Sequence, residues 1–523
     1  MKTIALLLAL AGGALAAPNA DAVSVCQFLH SSYPQYTVWD PSGSNGLETF
    51  WNQSYYSTTV QHYWNGVNAK NRPACAFFPA NAQQVSAAVQ QLNQHANAPY
   101  ALKSGGHNFN AGFSSTNGGV LISFNENLGS TVQNPDGNTF DVGPGARWGD
   151  VYEVTEKSNQ VVVGGRLGNI GVAGYTLGGG LSYYSAQYGL ACDNVLNFEV
   201  VLPNGTVVDA NSKSHPDLWW ALRGGGNRFG IVTKFTLQGH PLGDNGRVWG
   251  GIKFYDASKR QQIFEALSKF TSEYPDAKAA VIPTFDFSGS LVANPALFYF
   301  YDGAKPSANA FAGLENIEAL MDSTNTTSYS DLASQAGGAK IYGINAAAHV
   351  NTFPNMPPQQ MSQLLETHWT TYQSMVKNDS SRNLDIQIGT FATQPVSVRI
   401  ARASQERGGN TLGLDPANGD RIWVENDLIW INPACDNDCP QYLREVGDTI
   451  KTSFDSNLKG TKPTNYQSGD VNFVSLNPLF MNDAGYYQDV YDSYGAANKA
   501  RLENIAKAYD PNGFMFRQGG WNF

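Results

Sequence analysis

At 523 residues, with 42% apolar and 12% aromatic content, the chain exceeds one ordinary domain and carries enough apolar side chain for two sizeable cores. A formal net charge of -10 gives the wrong sign for attraction to a nucleic-acid backbone or an anionic membrane surface, so neither is an expected partner. Only the first residues resemble a targeting segment. Lys2, the apolar run from Ile4 to Leu10 and the small-residue site Ala14-Leu15-Ala16 read as a secretory signal over residues 1–16, and no other stretch is long and apolar enough to span a membrane.

Glycans and disulfides are both features of secreted, extracellular chains. Four sequons stand at Asn52, Asn204, Asn325 and Asn378. Of the five cysteines, Cys26 is expected to pair with Cys75 and Cys435 with Cys439, leaving Cys192 free and buried. The competing reading of Cys435 and Cys439 as metal ligands lacks a second Cys or His pair nearby, so no metal is expected.

In chain order, residues 79–95 predict a helix, with Pro79 and Asn81 at its start and Val85, Val89 and Leu92 at helical spacing. A short strand, Tyr100–Lys103, then runs into Ser104-Gly105-Gly106-His107-Asn108. Further strands are expected at 120–124, Thr139–Val142, 161–163, 198–202 and 206–208, the last two joined by the turn former Asn204-Gly205. Glycine is dense from Gly105 to Gly230 and sparser afterwards, which predicts a boundary near residue 242. Beyond it, amphipathic helices at 257–274 and 358–376 alternate with strands at 297–301, 384–388 and Arg421–Trp430, a pattern for a sheet covered on one face by helices. The fold class is α+β.

Two glycine-rich stretches carry the chemistry. His107 directly follows two glycines, whose lack of side chains lets a backbone approach a ligand closely. Gly164 to Gly180 then offers many unobstructed amides, suited to a pyrophosphate or a flat ring. It is not a nicotinamide fingerprint, because the Gly-x-Gly-x-x-Gly spacing with an acidic residue about twenty positions on is missing. From composition alone, the alternative that these glycines only serve tight turns stays open.

The ordered set Lys103 to Asn108, Val142 to Tyr152, Gly164 to Gly180, Tyr188 to Val195 and Asp217 to Phe235, with Tyr494 to Asn498 and Tyr509 to Gly513 at the end, resembles the berberine-bridge-enzyme-like flavoproteins. These belong to the vanillyl-alcohol-oxidase / PCMH-type superfamily. The resemblance covers residues 70–242 most closely. It implies a two-subdomain PCMH-type FAD-binding domain over 17–242, a substrate domain with an antiparallel sheet over 243–465, and a segment, 466–523, that returns to the first domain. It also implies FAD bonded through its C8α methyl to His107, for which a neutral imidazole is a competent nucleophile. Many members carry a second tether through a cysteine where this chain has Leu167, so a single covalent link is expected.

The same resemblance assigns Ser104, Gly105, Gly106 and Asn108 to the pyrophosphate, Gly165, Gly168, Gly171, Gly174, Tyr175 and Gly179 to the ribityl chain and ring, Gly230, Ile231 and Val232 to the adenine side, and Asn498 to the flavin ring. For Arg147 and Arg166, a phosphate partner and a solvated surface residue remain equally open. Ile170 stands at the oxygen-reactive edge, leaving oxidase against dehydrogenase open. The tyrosines that plant members use as base are replaced by Leu181 and, on alignment, Ser475.

On Arg421–Trp430, period-two alternation puts Trp423, Glu425 and Asp427 on one face. A Glu425 carboxylate desolvated beside a flavin would have a raised pKa and could act as base, against the alternative that this is the wet side of a sheet. The expected activity is oxidation of an alcohol or amine carbon of a small molecule, with oxygen reduced to hydrogen peroxide. Oligosaccharide oxidation, and flavin binding with dehydrogenase activity or little turnover, are the alternatives.

Overall fold

The computed structural model describes residues 19–40, 50–288, 291–336, 343–378, 384–469, 471 and 477–523. The signal segment, Ser475 and the side chains of Asn52 and Asn378 lie outside the described residues, while Asn204 and Asn325 are exposed. Among the described residues the strands form three sheets.

The first sheet has the order Thr37–Trp39, Cys75–Phe77, Val120–Ser123, Tyr100–Lys103, its last three strands parallel. The expected helix forms as Ala82–Gln94, with the Asn81 side chain capping it by accepting from the Gln84 amide at 3.0 Å. Its buried stripe of Val85, Val89 and Leu92 joins one core with Cys75 and Tyr100. The Cys26–Cys75 disulfide fastens the helix Ala20–Ser32 to the same sheet.

The second sheet is antiparallel and centres on Ile231–Pro241, which pairs with Thr139–Val142, Val195–Val201 and Gln160–Val162. The expected hairpin joins Val195–Val201 to Val207–Asn211, and Gly205 in its turn adopts a φ of 87°. Two strong turn formers at 204–205 are sufficient to specify it.

The third sheet, nine antiparallel strands, runs centrally through Ala296–Tyr301, Ala279–Ser288, Ile386–Val396, Arg421–Trp430 and Asn345–Pro354. Arg421–Trp430 has the expected bounds, whereas the strand expected at 384–388 extends through Ile386–Val396. Gly389 and Pro395 read as breakers in sequence, yet Gly389 packs against the Phe287 ring and Pro395 pairs with Ile422.

The helices Arg260–Glu273, Pro358–Asn378 and Asp438–Leu458 cover one face of this sheet through Phe264 on Phe285, Trp369 on Phe287, and Phe454 on Phe353. The disulfide Cys435–Cys439 closes the entry to the last of these helices, so neither cysteine is a metal ligand. Cys192 is free and buried. The opposite face carries Trp423, Glu425 and Asp427, and Trp423 stacks on Phe480 with centroids 4.5 Å apart. The chain end meets the first sheet, where the Tyr100 hydroxyl donates to the Phe514 carbonyl at 3.0 Å and Arg228 donates to the Met515 carbonyl at 2.7 Å.

Candidate functional site

A cavity of about 300 Å³ lies where the loop after Tyr100–Lys103, the glycine-rich stretch, Gly226 to Val232, the strand Arg421–Trp430 and the segment Phe480 to Asp483 converge. The first loop turns at Gly106, whose φ of 69° is in the left-handed region, and it presents His107 to the cavity. The Gly106 carbonyl accepts from the Trp64 amide at 3.0 Å, and the Trp64 indole stacks on the imidazole with centroids 5.3 Å apart.

His107 Nε2 is buried and has no hydrogen-bond partner. Burial, with a smaller contribution from the Arg147 charge, lowers the imidazole to about 4, so it is neutral at physiological pH. A neutral ring with an unpaired buried nitrogen on a cavity wall suits bond formation to an electrophilic methyl. Gly174 also lines the cavity, and a Cβ there would meet nothing within 4 Å, which leaves room for a ligand over the helix Val172–Leu177. The residues present therefore fit FAD.

Arg147 answers one of the open alternatives. Its guanidinium donates to the Gly105 carbonyl at 3.0 Å and to the Asn169 carbonyl, so it clips the two glycine loops together. Arg166 does line the cavity, where it donates to Gln394 Oε1 at 2.7 Å, and Gln394 in turn donates to Asp483 Oδ2 at 2.8 Å.

Glu425 is half-buried and opens on the same cavity as His107. Its face of the sheet is not wet, because Trp423 beside it is fully buried against Phe480. Burial raises the Glu425 carboxyl well above the ordinary range, helped by the charges of Asp427 and Asp483 and opposed by Arg166. Burial likewise raises Asp483 to about 6, against the pull of Arg166.

Of the other residues assigned to the cofactor, Ser104, Gly105, Asn108, Gly171, Tyr175, Gly230, Ile231 and Val232 also line the cavity, as do Leu167 and Ile170. Gly165, Gly168 and Gly179 do not. They pack against Trp148, against Gly149 with the Ala333 carbonyl, and against Leu412, so these three meet the turn-and-packing alternative instead. Asn498 also lies off the cavity and donates to the Thr411 carbonyl at 3.1 Å.

The asparagine on the wall is Asn482, donating to the Tyr175 carbonyl at 3.1 Å and accepting from the Gly180 amide at 3.2 Å. Phe480, Met481 and Asp483 line the cavity with it and went unassigned in the sequence. The available signal was Phe480-Met481-Asn482-Asp483, an asparagine in an apolar run on the returning segment.

Residues 73–211 match the FAD binding domain family. The chain is 32% identical over 472 residues to an uncharacterized FAD-linked oxidoreductase of Arthroderma benhamiae, covering 89% of each. It is 31% identical over 478 residues to the FAD-dependent monooxygenase drtC of Aspergillus calidoustus, covering 89% of this chain and 84% of that one. Among solved structures, berberine bridge enzyme in complex with (S)-reticuline superposes with a TM-score of 0.69 at 17% identity, over 96% of this chain and 98% of that one.

Proposed function

The chain belongs to the FAD-linked oxidoreductases and has the fold of berberine bridge enzyme, and from that premise we propose that it is a secreted oxidase acting on an alcohol or amine carbon of a small molecule. The observation that carries this reading is the placement of His107 and Glu425 on the walls of one cavity, the first with an unpartnered neutral nitrogen and the second with a raised carboxyl. When bound, FAD accepts a hydride and passes the electrons to oxygen, yielding hydrogen peroxide.

The chain's own residues supply the rest. His107 holds the flavin by one covalent bond, since Leu167 offers no thiol for a second. Gly105, Gly106 and Gly171 lie on the cavity wall, and Asn482 fixes the end of the helix Val172–Leu177. Glu425 takes the proton from the substrate hydroxyl or amine as the C–H bond breaks, and Arg166 holds the neighbouring Asp483 carboxyl in place through Gln394. The two disulfides support secretion, because such bonds persist in an oxidising compartment.

Incubating the holoenzyme with small alcohols, amines and oligosaccharides under peroxide detection tests this reading. Stoichiometric peroxide with an amine or alcohol is expected. Turnover with oxygen incorporated into product, the chemistry named for drtC, would replace it.

A further inference from the structure

Every residue of the loop 106–110 is held from one short stretch, residues 64–68, which precedes the part of the chain that matches the FAD binding domain family. The Trp64 amide donates to the Gly106 carbonyl at 3.0 Å, and its indole meets the rings of both His107 and Phe109. The Asn68 side chain donates to the Asn108 carbonyl at 3.3 Å and to the Asn110 carbonyl at 3.2 Å. Asn65 donates to the Phe109 carbonyl and, at 2.9 Å, to the carbonyl of Ala346 in the strand Asn345–Pro354. Both asparagines are buried, so the stretch ties the loop that carries His107 to the third sheet.

Two observations separate Trp64 from ordinary packing. Its ring joins none of the apolar cores formed by the described residues. Among those residues, the rings it meets are His107, with centroids 5.3 Å and planes 23° apart, and Phe109, edge-on with centroids 5.1 Å apart. The second observation concerns His107 itself. Its Nε2 has no hydrogen-bond partner, so nothing bonded at that end of the ring fixes its orientation. The outer torsion of a histidine is broad, and packing must then select one setting. A flat indole against one face does so, because the imidazole cannot tilt without running into it. Trp64 does not line the cavity, so it acts on whatever binds there through His107.

We propose that Trp64 is a positioning residue for covalent attachment of FAD, its stacked indole holding the His107 imidazole in one orientation for bond formation to the C8α methyl. The role rests on the covalent flavoenzyme reading and extends it to a residue outside the matched domain. Attachment forms one N–C8α bond and breaks one C8α–H bond and the imidazole N–H bond. The two protons and two electrons released pass to oxygen, which leaves as hydrogen peroxide. None of these atoms belongs to Trp64. Its contribution is orientation, and a misplacement of reacting groups by about 1 Å slows a reaction roughly 10²-fold.

The test compares wild-type protein with Trp64→Phe, Trp64→Leu and Trp64→Met, each purified aerobically in the presence of FAD. Three quantities are read: the thermal unfolding temperature, the flavin that stays with the native protein on gel filtration, and the flavin that stays with the pellet after acid precipitation. Trp64→Phe keeps a ring to stack and is expected to give a pellet as yellow as wild type. Trp64→Leu and Trp64→Met are expected to fold and to hold FAD on gel filtration, yet to release most of it into the acid supernatant. A folded Trp64→Leu or Trp64→Met with a wild-type yellow pellet overturns the role. So does a Trp64→Phe that loses as much acid-stable flavin as they do, or failure of both aliphatic variants to fold, which makes the indole structural. In each of these cases the yellow wild-type pellet leaves the covalent reading standing. A wild-type protein that holds FAD natively and releases it in acid brings down that reading and this role together.

Discussion

Gly105 and Gly171 meet backbone to backbone. A Cβ built on Gly105 would lie 2.5 Å from the Gly171 amide nitrogen, and one built on Gly171 would lie 2.3 Å from the Gly105 nitrogen. The contact joins the loop that presents His107 to the loop that carries Leu167 and Ile170, and Arg147 reinforces it by bonding both. Because the obstacle is backbone on either side, no side chain can move aside. Gly171→Ala is expected to cost about 1–3 kcal/mol of stability, as overpacking does, and to lower the flavin-to-protein absorbance ratio. Thermal unfolding and the visible spectrum of the purified variant check both.

Glu425→Gln preserves the size of the side chain and removes its basicity. Flavin reduction in a single turnover with substrate is expected to slow by about 10²–10⁴-fold, the usual contribution of a positioned base. The wild-type carboxyl is raised by burial and by Asp427 and Asp483, and a base works only when deprotonated. The wild-type rate should therefore climb with pH through a range above that of ordinary carboxylates, and the variant should be flat there. An unchanged rate in the variant removes Glu425 from the mechanism.

Leu167 lines the cavity at the position that the family resemblance aligns with a second tether. Leu167→Cys is expected to gain that bond, so the double variant His107→Ala, Leu167→Cys should keep part of its flavin through acid precipitation. Peptide mapping that finds flavin on residue 167 checks it, and release of all flavin from the double variant contradicts the alignment of the two loops.

What could be read from the sequence divides along physical lines. Arg421–Trp430 alternates side chains strictly enough to give both its bounds and the shared face of Trp423, Glu425 and Asp427. His107 was legible because two glycines and a short strand are all local to it. The role of each glycine was less so, since a missing side chain looks the same in sequence whether a ligand or the Trp148 ring occupies the space, as it does at Gly165.

Asn482 and Asp483 reach the cavity from more than 300 residues beyond the Tyr175 loop, and only the folded chain shows that they, and not Asn498, arrive there.

His107 is proposed as the sole covalent hold on FAD, and acid precipitation reads this directly. Wild-type protein should give a yellow pellet and a colourless supernatant, and His107→Ala should move the colour to the supernatant. A wild-type pellet that loses its flavin on denaturation would contradict the claim.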